Sequence, residues 1–181
     1  MNRKSVLNIP NCLSLLRIAM IPLIVWLYCT KACYGWALIV LILSGITDVA
    51  DGIIARRCDM VTDFGKAMDP VADKLTQLAT LGCLLTRFHH MWMPLFLLTM
   101  KELFTGIMSL YAVKKTGRVK SADWHGKLST VMLYTVMGLH MVWSGIPEWI
   151  SKGLMLLCMG VMCLSGILYW YRNYKQIKGY D

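Results

Sequence analysis

Two acidic segments decide the fold, DVADGIIAR at residues 48–56 and GKAMDPVAD at residues 65–73, and eight residues separate them. On a helix, residues three or four positions apart lie on the same face. Each segment therefore presents one pair of carboxylates, Asp48 with Asp51 and Asp69 with Asp73. Two antiparallel helices joined by the short intervening loop are predicted to place these two pairs opposite each other.

The acidic segments lie in a strongly apolar chain. Of its 181 residues, 57% are hydrophobic and 16% are charged, which leaves too little polar surface for a soluble globule of this size. The apolar residues form long runs, each near the ~20 residues that a membrane-crossing helix needs. We predict a single-domain, all-α integral membrane protein over residues 1–181. Its six transmembrane helices are expected at about 12–30, 34–55, 67–87, 91–113, 125–144 and 148–171, after a short N-terminal amphipathic segment.

The net charge of +9 is distributed unequally between the two sides of the predicted membrane. One side holds both termini and most of the loop cations, whereas the other holds Lys31, Arg87 and Lys152. Because positive charge is retained in the cytoplasm, both termini are predicted to be cytoplasmic in a multi-pass protein of the cell membrane. The basic excess therefore indicates topology and attraction to anionic lipid headgroups, and it does not indicate nucleic-acid binding.

Four aspartates inside apolar helices need compensating positive charge. An Asp at the centre of a membrane helix costs about 2.5–3.5 kcal/mol, so four without compensation would cost on the order of 10 kcal/mol, comparable to the stability of a whole domain. Lys74 and Arg56 are too few to balance them. Carboxylates without His or thiolate partners select hard cations, so the sequence predicts Mg²⁺ or Mn²⁺, with two divalent ions matching four carboxylates.

Small and polar residues beside the aspartates indicate a phosphate-containing ligand. Gly52 and Gly65 weaken helices but allow a ligand to approach the backbone closely. Arg56 follows Gly52 by one turn and suits a phosphate group, and Thr62 adds a hydroxyl. Two divalent ions at this place could hold a diphosphate between them.

Two other classes of membrane protein compete with this interpretation. A cation transporter also keeps acids within the membrane, but near the midplane and often on broken helices. Here the aspartates lie toward the predicted cytoplasmic half, beside Arg56 and Gly65, which favours a phosphate ligand. A structural scaffold gives no reason for four clustered acids.

The pattern D-x-x-D-G-x-x-A-R-x8-G-x-x-x-D-x-x-x-D, present at residues 48–73, is the signature of the CDP-alcohol phosphotransferase family, and every fixed position matches. On this pattern the chain is identified as a member of that family. Further segments, residues 9–17, 61–66 and 124–130, resemble its bacterial phosphatidylglycerophosphate synthase branch.

The resemblance implies a six-helix membrane enzyme, usually a homodimer, with a polar cavity open to the cytoplasm. CDP-diacylglycerol binds in that cavity, and an alcohol attacks its β-phosphate and releases CMP. By the same resemblance Asp48, Asp51, Asp69 and Asp73 are metal ligands, and Asp73 is also the general base. The implied CDP-diacylglycerol site comprises Asn11, Ser14, Gly52, Arg56, Thr62 and Gly65.

The acceptor alcohol is less clearly indicated. The resemblance favours glycerol 3-phosphate, which gives phosphatidylglycerophosphate in phospholipid biosynthesis, with Lys101, Arg118 and Lys127 as acceptor-binding candidates. The chain departs from that branch, because Lys101 and Ser109 each stand where Arg is common and Ser129 stands where Lys is common. These changes leave a less charged acceptor open, such as phosphatidylglycerol in a cardiolipin synthase reaction.

Overall fold

The computed structural model describes residues 9–57, 63–116, 124–143 and 145–178, and these form six α-helices. A π-helical turn, Trp26–Thr30, extends the first helix, and a 3-10 turn, His89–Met91, precedes the fourth. The helices are α1 (Ile9–Val25), α2 (Tyr34–Arg57), α3 (Asp63–Leu85), α4 (Trp92–Thr116), α5 (Trp124–Val142) and α6 (Glu148–Lys178). The predicted all-α class is confirmed for the described residues.

Four stretches of the described chain are long and apolar enough to cross a membrane. They are Cys12–Thr30, Tyr34–Asp51, His89–Tyr111 and Glu148–Lys175. The other two helices are more polar, since α3 carries the second pair of aspartates and α5 carries two histidines and a lysine. Membrane-spanning character is thus supported for four helices, and the arrangement with six spans stays a prediction.

Large apolar side chains on α2 and α4 point away from the protein. Trp36, Ile46 and Val49 on α2, with Ile107 and Leu110 on α4, are between 58% and 74% exposed. Monomeric soluble proteins rarely expose apolar surface of this extent. Outward-facing apolar helices are typical of a protein whose surroundings are lipid.

Contacts divide the chain into two compact units, Met1–Arg87 and Phe88–Asp181. In the first unit, α1 packs along both α2 and α3. Its apolar core includes Ile24, Leu41 and Leu81. Because α1 contacts both helices that carry the acidic segments, its inward side chains can reach the aspartates of each.

In the second unit, α6 packs against α4 and α5. Methionines fill much of its core, where Met91, Met137, Met141, Met155 and Met162 are buried. Their flexible, unbranched side chains suit the irregular gaps between helices of unequal length.

One buried hydroxyl joins three elements of the second unit. Ser151 lies in the first turn of α6, and its Oγ is 2.6 Å from His90 Nε2 and 2.8 Å from His140 Nε2. His140 Nδ1 is 2.7 Å from the carbonyl oxygen of Val136, so the neutral ring carries its proton on Nδ1 and accepts from Ser151 at Nε2. His90 must then donate to Ser151. These bonds connect the 3-10 turn, α5 and α6.

Replacement of Ser151 by Ala should destabilise the protein, because two imidazole nitrogens lose their common partner. The expected loss is about 1–3 kcal/mol, which corresponds to a fall in Tm of roughly 2–4 °C per kcal/mol. Thermal unfolding of the detergent-solubilised protein measures this change. Thr99→Val is the matched control, since Thr99 bonds to the carbonyl of Leu95 within its own helix. Equal Tm values for the two variants would contradict the connecting role of Ser151.

Candidate active site

Arg17 lies between the two aspartates of α2. Its side chain is 2% exposed, and Nη1 is 2.5 Å from Asp48 Oδ1 while Nη2 is 2.5 Å from Asp51 Oδ2. The planar guanidinium presents its donors in a fork, so one residue can pair with two carboxylates at once. The environments of the two acids differ, because Asp51 is 4% exposed and Asp48 is 46% exposed.

Ser14 connects α1 to the first aspartate of α3. Its hydroxyl donates to Asp69 Oδ1 at 2.5 Å. Ser14 and Arg17 are three positions apart and therefore lie on the same face of α1. This face of α1 contacts acids from both neighbouring helices. This contact does not test the predicted role of Ser14 in CDP-diacylglycerol binding, which stays a prediction.

Asp73 receives contacts from its own helix. Gln77 Nε2 donates to Asp73 Oδ2 at 2.9 Å, and Lys74 Nζ is 3.6 Å from the same oxygen. The charges of Asp69 and Asp73 act on Asp48 across the space between α2 and α3. The four aspartates, called the cluster below, thus each have a polar or charged neighbour, which is Arg17 for Asp48 and Asp51, Ser14 for Asp69, and Gln77 for Asp73.

The chemistry of this cluster fits a hard divalent cation. Arg17 pairs with Asp48 and Asp51, and Lys74 lies 3.6 Å from Asp73. Oxygen donors without imidazole or thiolate suit Mg²⁺ and Mn²⁺. In the described part of the chain no three Asp, Glu, His or Cys side chains converge at metal-binding distance. The aspartates are therefore candidate ligands by donor type and charge.

Most of the predicted CDP-diacylglycerol site cannot be placed. Thr62 lies outside the described residues. Four further members are described only by their backbone, which belongs to α1, α2 and α3: Asn11, Gly52, Arg56 and Gly65.

In the second unit, the candidate acceptor residue Lys101 is engaged in a local ion pair. Its side chain is 9% exposed, and Nζ is 2.9 Å from Glu102 Oε1. The aliphatic part of Lys101 lines an apolar groove of about 540 Å³ between α4 and α6, together with Phe104 and Ile167. The positive charge of Lys101 is thus offset by the carboxylate of Glu102 in the absence of a ligand.

The other acceptor candidates lie at or near the start of α5. Arg118 is outside the described residues, and Lys127 is exposed in the first turn of the helix. Nearby, the ring of Tyr169 packs 4.7 Å from that of His125, and the guanidinium of Arg172 lies 4.8 Å above the Tyr169 ring. Gly126 allows this packing, because any side chain there would collide with the Tyr169 hydroxyl.

A family model described as CDP-alcohol phosphatidyltransferase matches residues 7–168, which include both acidic segments. The chain belongs to this family. The match extends across all six helices, so it includes parts of both compact units.

Individual relatives carry two different names. A Streptomyces coelicolor protein named cardiolipin synthase (CMP-forming) is 31% identical over 173 residues, covering 92% of this chain and 79% of the relative. A Bacillus subtilis CDP-diacylglycerol–glycerol-3-phosphate 3-phosphatidyltransferase is 28% identical over 193 residues, covering 94% and 97%. A Sodalis glossinidius protein of the same name is 34% identical over 131 residues, covering 68% and 71%.

Sequence reasoning missed two residues that contact the aspartates of this phosphatidyltransferase. The charge balance predicted from the sequence counts Lys74 and Arg56 and omits Arg17, which lies within residues 9–17. A signal existed, since an ionisable residue within an apolar run needs a partner. Gln77 carried no comparable signal, because its position relative to Asp73 depends on the packing of α3.

Replacing Arg17 by Met should destabilise the phosphatidyltransferase strongly in the presence of chelator, because the buried Asp51 loses its ion pair with Arg17. Breaking a buried pair from one side costs about 3–5 kcal/mol. Unfolding free energies of Arg17→Met, Asp51→Asn and the double variant form the test. The double variant should lose less than the two single losses together, and strict additivity would contradict the pairing. Asp48→Asn is the comparison, with a smaller expected loss because Asp48 is half-exposed.

Proposed function

We propose that this protein transfers the phosphatidyl group of CDP-diacylglycerol to glycerol 3-phosphate, giving phosphatidylglycerophosphate and CMP. The observation that carries the proposal is the similarity to the Bacillus subtilis relative of that name, which extends over 94% of this chain and 97% of the relative. The cluster of four aspartates on α2 and α3 supports it, because this part of the chain carries the family signature.

In the proposed reaction the acceptor hydroxyl attacks the β-phosphorus of CDP-diacylglycerol. A new phosphorus–oxygen bond forms, the bond to the CMP oxygen breaks, and CMP leaves with that electron pair. The hydroxyl proton passes to the carboxylate of Asp73, which we assign as general base. Gln77 and Lys74 contact one oxygen of this carboxylate and restrict its orientation.

We assign Mg²⁺ or Mn²⁺ to the four aspartates, with two ions expected. A divalent cation bound there would polarise the diphosphate and stabilise CMP as leaving group. Arg17 contacts Asp48 and Asp51, and Ser14 contacts Asp69. Because no three such side chains of the described chain converge at metal-binding distance, the carboxylates would move closer together when a cation binds.

The remaining predicted properties belong to the same proposal. The CDP moiety binds the residues implied by the family signature. The active site and both termini face the cytoplasm. The enzyme forms a homodimer with six spans per chain. Lys127 is exposed in the first turn of α5 and is assigned to the acceptor's phosphate. Arg172 lies on α6, with its guanidinium over the ring of Tyr169.

A second candidate function is cardiolipin synthesis with phosphatidylglycerol as acceptor. The Streptomyces coelicolor relative named cardiolipin synthase covers 92% of this chain. The ion pair of Lys101 with Glu102 also favours this acceptor, because it removes one cation from those available to a phosphate monoester. A cation transporter, by contrast, has no support from the family to which the chain belongs.

Purified protein incubated with CDP-diacylglycerol and equal amounts of glycerol 3-phosphate and phosphatidylglycerol should yield phosphatidylglycerophosphate and CMP. Mass spectrometry of the lipid product distinguishes the two acceptors. Excess EDTA should stop the reaction, and Mg²⁺ or Mn²⁺ should restore it, because the aspartates would lose and regain their cation.

Three outcomes of this assay count against the proposal in different ways. Cardiolipin as the main product would replace the acceptor but keep the reaction class. Full activity in EDTA would contradict the metal assignment. Absence of CMP release with every acceptor tested would contradict phosphatidyl transfer itself.

Asp73→Asn should lower kcat by about 10²–10⁴-fold, because an amide cannot accept the hydroxyl proton. Binding of CDP-diacylglycerol should remain measurable, since three aspartates and Arg17 are unchanged. Turnover is followed by CMP release, and binding by lipid-dependent protection against thermal unfolding. A variant with unchanged turnover would contradict the role of Asp73 as base.

A further inference from the structure

Behind Asp73, α3 buries a second polar side chain whose orientation is fixed. Gln77 is 0% exposed, and its contact with Asp73 Oδ2 is 2.9 Å. An ionised carboxylate can only accept hydrogen bonds, so the NH₂ group of Gln77 must face Asp73. The carbonyl oxygen Oε1 then points away from the carboxylate, and it has no hydrogen-bond partner among the described residues.

Thr80, three positions further along α3, is also 0% exposed, and its hydroxyl has no partner within the described part of the chain. Other threonines in these helices behave differently. Thr76, Thr99 and Thr135 each donate at 2.8 Å to the carbonyl four residues earlier. Thr80 does not use this local bond, although the helix offers it.

The two unpartnered groups lie on the same face of α3, since residues three positions apart are neighbours on a helix. One is an acceptor, and the other can donate or accept. Buried polar groups without partners are costly, and native proteins commonly satisfy them with internal water that makes two to four hydrogen bonds. A single water that donates to Gln77 Oε1 and bonds to Thr80 Oγ1 would satisfy both groups.

We infer that a buried water bridges Gln77 Oε1 and Thr80 Oγ1, and that Gln77, fixed by it, is a positioning residue for Asp73. The water donates to Oε1, and this bond prevents the amide from rotating away from the carboxylate. Asp73 is thereby held in one orientation for the incoming proton. Lys74 cannot replace Gln77, because it lies 3.6 Å away on a partly exposed, flexible side chain. This inference rests on the proposed function, in which Asp73 is the general base.

Gln77→Met tests the positioning role, because Met has similar volume and no hydrogen-bonding amide. We expect kcat to fall by about 10-fold or more, while KM for CDP-diacylglycerol stays within roughly twofold, since orientation matters in the transition state more than in substrate binding. Leu84→Ala is the control for lost stability, because Leu84 is buried on α3. Leu84→Ala should lower Tm but keep kcat per folded enzyme.

Wild-type kcat in Gln77→Met would overturn the positioning role, and so would a rise in KM with kcat unchanged. If Gln77→Met does not fold, Gln77→Leu provides the same comparison. Inactivity of the wild-type protein with both acceptors would instead contradict the proposed function, so the two failures are distinguishable.

Thr80→Val tests the water by a measurement that needs no activity. The two side chains have the same shape, so a bridging water would lose one partner and Tm in chelator should fall by about 2–4 °C. Without a water, Val removes an unsatisfied hydroxyl, and Tm should stay unchanged or rise. That result would overturn the bridge. Thr76→Val is the matched control, since its hydroxyl bonds to Ala72 within the helix.

Discussion

Charged and polar contacts of Arg17 and its neighbour Ser14 connect the three helices of the first unit. Its guanidinium holds both aspartates of α2, and one turn away Ser14 holds the first aspartate of α3. Acids buried in an apolar bundle are unstable without such partners, because the desolvation of each carboxylate must be offset by a nearby positive charge or donor. The packing of α1 against both α2 and α3 follows from this requirement as well as from apolar contacts.

The same acids are the proposed metal ligands. Arg17 contacts both aspartates of α2, and Lys74 lies near Asp73 on α3. In the proposed reaction the diphosphate of the substrate brings further negative charge to these carboxylates. Bound divalent cations would offset both sources of negative charge.

The sequence was sufficient to predict the helices of the described residues, because helices depend on local regularities. Apolar runs near the length of a membrane span predict six helices. The spacing within each pair, Asp48 with Asp51 and Asp69 with Asp73, predicts that the two carboxylates of a pair lie on one face of their helix. The partners of these acids were harder to predict, because Arg17 lies 34 residues from Asp51 along the chain. The ion pair of Lys101 was missed for a different reason, since a lysine in an apolar helix has the same sequence signal whether it faces Glu102 or a substrate.

The two acceptors proposed for this enzyme differ in the charge of their phosphate group. Glycerol 3-phosphate carries a phosphate monoester, whereas phosphatidylglycerol carries a phosphodiester with less charge. Glu102 offsets Lys101, Ser109 and Ser129 stand where the phosphatidylglycerophosphate synthase branch commonly has cations, and the Arg172 guanidinium packs on the ring of Tyr169. Lys127 is exposed and keeps its charge available, and charge-assisted bonds to phosphate are strongest where several cations converge. The long match to the Bacillus subtilis relative favours the monoester, whereas the offset charge of Lys101 favours the phosphodiester.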